Sequence, residues 1–194
     1  MIVYLHGFRS SPQSFKARLL AERMAHLGLA DRYACPTLSE RPSTAIAHAQ
    51  AVASVCAPAD LTLIGSSLGG FYATWLAEQI GCRAVLLNPA LRAHEKLSHH
   101  VGTQTAYHDA SSTFEFLPTY LDELRALYVE RISRPERYFL VAATGDEVLD
   151  WREMVAGFPG AHQKVIQGSD HGLSDFADIM DEVLAFAGVR IPRA

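Results

Sequence analysis

The chain has few of the residues that would mark a secreted, metal-bound or membrane-spanning protein. Three cysteines occur in 194 residues, Cys35, Cys56 and Cys82. An odd number at unrelated spacings offers no disulfide framework, no zinc pattern and no C-x-x-C pair, so buried thiols in a reducing compartment are expected. No stretch approaches the roughly 18 uninterrupted apolar residues of a transmembrane helix. The opening Met1-Ile2-Val3-Tyr4-Leu5-His6-Gly7 lacks a basic lead and has too short an apolar run for a secretion signal, which makes the cytoplasm the expected location. Excess positive charge is missing too. Seventeen Lys+Arg face 21 Asp+Glu, for a net charge of −4, and no basic surface points to nucleic acid. Neither a phosphate loop ending in G-K-[ST] nor a dinucleotide fingerprint is present.

The remainder is ordinary for a globular protein, 49% apolar and 20% charged. Its length suits a single domain over residues 1–194 with a full core. Apolar, β-forming runs at 2–5, 61–64, 83–87 and 138–142, with a short strand at 32–35 and a last one at 162–166, alternate with helical stretches. The first helix should follow Ser11 as cap and Pro12 at the first turn, with Phe15, Leu19, Leu20, Met24 and Leu27 on its apolar face. Other helices are expected over 43–56, 71–80, 151–158 and 173–187. This alternation predicts an α/β fold: a parallel sheet of about six strands with helices on both faces. Residues 90–135 break the rhythm. They show no clear strand, a polar stretch over 94–113 and an amphipathic helix over 118–131. We read them as a lid insertion of helix and loop within the domain.

Gly65-Ser66-Ser67-Leu68-Gly69 fits G-x-S-x-G between a strand and a helix. This is the pattern of a nucleophile elbow, which lifts a serine hydroxyl above a sheet edge. The alternative is a glycine-rich connection without chemistry. A serine needs a base, and imidazole titrates near neutrality. His171 follows the last strand; His162 lies inside that strand and reads as structural. An acid must then orient the ring. Asp146, directly after a strand, is favoured over Glu147, Asp150 and Asp170; the last two suit helix capping better. The order Ser67, Asp146, His171 is one in which such triads occur. The backbone N–H groups of Phe8 and Leu68 are the expected oxyanion donors. His6 reads as a hydrogen-bonded structural residue. His94, His99, His100 and His108 match no zinc-ligand spacing and read as part of a solvated lid.

With those residues assembled, the chain resembles the α/β-hydrolase superfamily over nearly its whole length. More narrowly, it looks like small bacterial esterases of the YqiA type (the UPF0227 group). The matching segments are Tyr4-Leu5-His6-Gly7-Phe8 with Ser10-Ser11-Pro12, Gly65 to Gly70, Asn88-Pro89-Ala90, Thr144 to Asp150, and Asp170-His171. The resemblance implies a Ser67–His171–Asp146 triad, hydrolysis of acyl esters or thioesters, and no metal or organic cofactor. Arg9 and Gly172-Leu173 depart from the group's pattern at the mouth of the site, and Arg9 is a candidate substrate-binding residue for anionic groups. The expected partner is a small acyl ester or thioester, with no nucleic acid and no membrane span. Oligomeric state is not readable. The competing reading is a hydrolase-like scaffold that acts mainly by binding protein.

Overall fold

The computed structural model describes all residues except 108, 110, 193 and 194. In chain order the strands are β1 Ile2–Leu5, β2 Tyr33–Ala34, β3 Thr62–Ser66, β4 Arg83–Leu87, β5 Gly102–Thr105, β6 Thr113–Phe116, β7 Tyr138–Ala143 and β8 His162–Ile166. The helices are α1 Phe15–His26, α2 Pro42–Ala53, α3 Leu68–Ile80, α4 Ala93–Lys96, α5 Pro118–Ala126, α6 Trp151–Gly157 and α7 Met180–Phe186. Six strands form one parallel sheet in the order β2-β1-β3-β4-β7-β8.

The continuous apolar runs reflect a sheet covered on both faces. Val3, Leu5, Leu63, Leu86 and Leu140 pack with residues of α2 and α3. Their neighbours Ile2, Tyr4, Ile64, Val85, Phe139 and Val141 pack with α1, α7 and Phe176. Helix α3 is buried over nearly its whole circumference, from Leu68 through Thr74 and again at Leu76 and Ala77. It is therefore apolar all round rather than striped. The winding reverses between β1 and β3, since β2 lies on one side of β1 and β3 on the other. Such a switch point opens a crevice at the carboxyl ends of the strands. Phe8 follows β1 there, and Ser67 follows β3.

Several expectations need correction. Residues 90–135 contain an antiparallel hairpin, with Gly102 opposite Phe116 and Thr105 opposite Thr113. Gly-Thr-Gln-Thr of β5 has no apolar side chain, so only Phe114 and Phe116 carried a period-two signal. The first helix begins at Phe15, not Pro12, because Ser11 is spent on a turn: its hydroxyl accepts from Gln13 N–H and its carbonyl from Ser14 N–H. The last helix is broken. Leu173 has φ +50°, and a 3-10 turn, Phe176–Asp178, precedes α7. Helix α5 stops at Ala126, short of 131. Cys82 is buried, whereas Cys35 and Cys56 are half-buried; all three thiols are free. No helix among the described residues is long and apolar enough to cross a membrane.

Candidate active site

One residue separates β3 from α3. Ser67 has φ 54° and ψ −119°, a backbone conformation that a non-glycine residue holds only when its surroundings enforce it. The neighbouring glycines show why. A Cβ on Gly65 would stand 2.2 Å from the Gly69 carbonyl oxygen, and one on Gly69 would stand 1.9 Å from that of Leu5. Both contacts are with backbone, which cannot swing away. We expect Gly69→Ala to cost about 4 kcal/mol or more, or to prevent folding, as read by thermal melting. A melt close to that of the wild type would refute this packing account.

Three distant loops converge on the serine. The Ser67 hydroxyl lies 3.0 Å from His171 Nε2, and His171 Nδ1 lies 2.8 Å from Asp146 Oδ2. The other Asp146 oxygen accepts from the N–H groups of Val148 and Leu149, both at 2.8 Å. The Asp146 side chain is fully buried and that of His171 is 20% exposed. An ionised Asp146 accepts only, so it fixes the Nδ1–H tautomer. The Nε2 lone pair is then left to receive the hydroxyl proton.

The rivals are placed elsewhere. Glu147 accepts the backbone N–H of His171 at 3.0 Å, not a ring proton. Asp150 caps α6 through Arg152 N–H. Asp170 accepts from Ser174 N–H, and hydrogen bonding to Ser174 holds its carboxyl below the usual range. His162 packs against Phe139 and Phe186 and is bonded to neither Ser67 nor Asp146. His6 Nε2 accepts from Leu38 N–H, a structural role. No group of three or more His, Cys, Asp or Glu that could hold a metal gathers among the described residues; His108 lies outside them.

The loop after β1 presses against the serine turn. A Cβ on Gly7 would lie 3.3 Å from both Ser67 Cβ and the Ser66 carbonyl oxygen. Among the described residues, no hydrogen bond occupies the N–H of Phe8 or of Leu68. The Phe8 ring is anchored edge-on among His100, Phe114 and Phe116, with centroids 5.2–5.8 Å apart. Arg9, at φ 61°, donates from Nε to the Thr105 carbonyl, accepts from Tyr107 N–H, and lies 4.3 Å over the Tyr107 ring. The insertion is thus fastened to this loop. Between them lies a cavity of about 770 Å³, lined by Phe8, Leu68, Tyr72 and Phe114 and by Ser10 and Thr113 among others. A second cavity of about 410 Å³ lies near Phe71, Tyr128 and Phe158. Neither cavity is lined by Ser67, Asp146 or His171, but the larger includes both Phe8 and Leu68 and the smaller includes neither.

Two contributors have no role in the reading from sequence. Asn88 appears there only within a segment matching the family, with no role given to its side chain. Lys16 shares the i, i+4, i+8 stripe of Leu20 and Met24, all three buried on α1; a lysine on such a stripe is a legible signal. Burial pushes its ammonium down to about 8, against the opposing pull of Asp170 and Asp146.

Residues 1–188 match the model of a family described as an uncharacterised protein family, UPF0227. Among solved structures, the chain is similar to one described for the metagenome-derived lipolytic enzymes LipS and LipT, with TM-score 0.71, 20% identity, and coverage of 96% of this chain and 92% of that one. It is similar to α/β-hydrolase domain-containing protein 10 from mouse, with TM-score 0.70, 16% identity and coverage of 95% and 89%. It is also similar to the esterase domain of a Rhodothermus marinus protein, with TM-score 0.62, 20% identity and coverage of 96% and 85%. At these identities the likeness establishes the α/β-hydrolase fold.

Proposed function

The chain belongs to the UPF0227 family, and we propose that it is a serine hydrolase cleaving acyl esters or thioesters through Ser67, His171 and Asp146. The observation that carries this reading is the unbroken chain from the Ser67 hydroxyl through His171 to Asp146, with separations of 3.0 and 2.8 Å. Ser67 Oγ attacks the acyl carbonyl carbon while His171 Nε2 takes its proton, and Asp146 stabilises the imidazolium. The carbonyl π pair moves onto oxygen, facing the N–H groups of Leu68 and Phe8. Each such donor is typically worth about 3 kcal/mol of barrier. Collapse breaks the bond to the leaving alcohol or thiol, which receives the His171 proton. Water, deprotonated in turn by His171, attacks the acyl-enzyme and releases the acid and free Ser67. No cofactor enters these steps.

The cavity beside Phe8 and Leu68 is the proposed substrate pocket, with Phe8, Tyr72 and Phe114 in its lining to receive an acyl or alcohol group. A panel of oxygen esters of graded acyl length, acyl-thioesters and amides tests this reading. Esters or thioesters should turn over with an optimum in chain length, and amides should lag. Absence of turnover on every member would refute the assignment. The same panel should contain neutral and anionic esters, assayed with Arg9→Ala. Loss of a preference for anionic esters would assign Arg9 to substrate binding. An equal fall for both would assign it to holding the hairpin against the oxyanion loop.

A further inference from the structure

We propose that Asn88 and Lys16 are positioning residues for His171, gripping its backbone rather than its ring. This rests on the hydrolase reading above. The loop that carries His171 is strained. Ser169 and Leu173, neither a glycine, have φ values of 58° and 50°. Strained backbone persists only where its surroundings over-determine it. Here three successive carbonyls are each held by a side-chain donor. Asn88 Nδ2 donates to the carbonyls of Asp170 and His171, at 3.0 and 3.2 Å. Lys16 Nζ donates to the carbonyl of Gly172. Both donors are buried, Asn88 completely.

Asn88 also ties the histidine loop to the other two. Its Oδ1 accepts from Ala143 N–H at 2.9 Å, three residues before Asp146, and its own N–H donates to the Val141 carbonyl at 2.9 Å. On either side of it, the Leu87 carbonyl accepts from Ser67 N–H and Ala90 N–H donates to the Ser67 carbonyl. Asn88 itself has φ 42°, a left-handed conformation that asparagine tolerates better than most residues. One short segment therefore sets the separation of serine, imidazole and carboxylate. Without its amide, the His171 carbonyl loses its side-chain donor and the imidazole is free to drift from Ser67.

A purely structural role would reduce the number of working molecules. A positioning role slows each working molecule. The test is to titrate active sites with a fluorophosphonate in the wild type, Asn88→Ala, Asn88→Asp and Lys16→Met, and to measure kcat per titrated site. We expect kcat per site to fall about 100-fold in the Asn88 variants, the size of loss that a misplacement near 1 Å produces. Lys16→Met should fall less, in the same direction, with KM within about threefold of wild type throughout, as for loss of an interaction made in the transition state. Values of kcat per site within about twofold of wild type would overturn the proposal. If the Asn88 variants do not fold, Lys16→Met alone decides by the same criterion. A folded wild type that is neither labelled nor active defeats the hydrolase reading and this proposal with it. A labelled, active wild type with fully active variants defeats only the positioning claim.

Discussion

Ser67→Ala is expected to lower kcat on acyl esters by on the order of a millionfold, leaving only what binding and the oxyanion donors supply. The size of the loss follows from the absence of a substitute. Ser66 is the adjacent hydroxyl, but it is the last residue of β3, is buried, and interacts with the Tyr4 hydroxyl. His171 Nε2 is bonded to Ser67 alone of the two serines. The variant should fold, since the Ser67 contacts that shape the turn are made by its backbone: its N–H donates to the Leu87 carbonyl and its carbonyl accepts from Gly70 and Ala90. Steady-state assay beside a thermal melt checks both statements. A residual rate within a hundredfold of wild type in a folded variant would mean another nucleophile.

Asp146→Asn should be the next most damaging change, at about 10⁴-fold in kcat with little loss of stability. The reason lies in the two faces of the carboxylate. One oxygen accepts from the N–H groups of Val148 and Leu149. Asparagine keeps these bonds only by placing its carbonyl oxygen there. Its NH₂ then faces His171 Nδ1, at the position of the present 2.8 Å bond. A donor at that point forces Nδ1 to accept and moves the ring proton to Nε2. An imidazole with a proton on Nε2 cannot take one from Ser67. The expected result is a folded enzyme with near-normal KM and collapsed kcat. Retention of a tenth or more of wild-type kcat would show that the carboxylate does not set the tautomer.

The parts of the fold that could be read in advance are those where local demands and the global sheet agree. The Gly65–Gly70 turn is such a case. Strand and helix approach so closely that only hydrogen fits at Gly65 and Gly69, and that need is written directly into the residue types. The buried strands are another, since both faces of β1, β3 and β7 are covered and β1 and β7 are made of apolar and aromatic residues alone. The hairpin was not readable, because β5 is half-exposed and wholly polar. Its strand pairing depends on Phe114 and Phe116 docking against Phe8, about a hundred positions earlier in the chain. Asn88 was opaque for a similar reason. Its partners stand 55, 82 and 83 positions away, and no local pattern encodes them. Ser67, Asp146 and His171 could be proposed from sequence because each follows a strand of the same sheet. That they touch depends on the 3.0 and 2.8 Å geometry of the folded chain.

The most direct test of the central claim is covalent capture of the nucleophile. Wild type and Ser67→Ala should be treated with a fluorophosphonate and the modified peptide located by mass spectrometry. The account predicts one adduct per chain, on Ser67, formed by the wild type and absent from the variant. A folded wild type that stays unmodified, or an adduct on another residue that survives in Ser67→Ala, would contradict it.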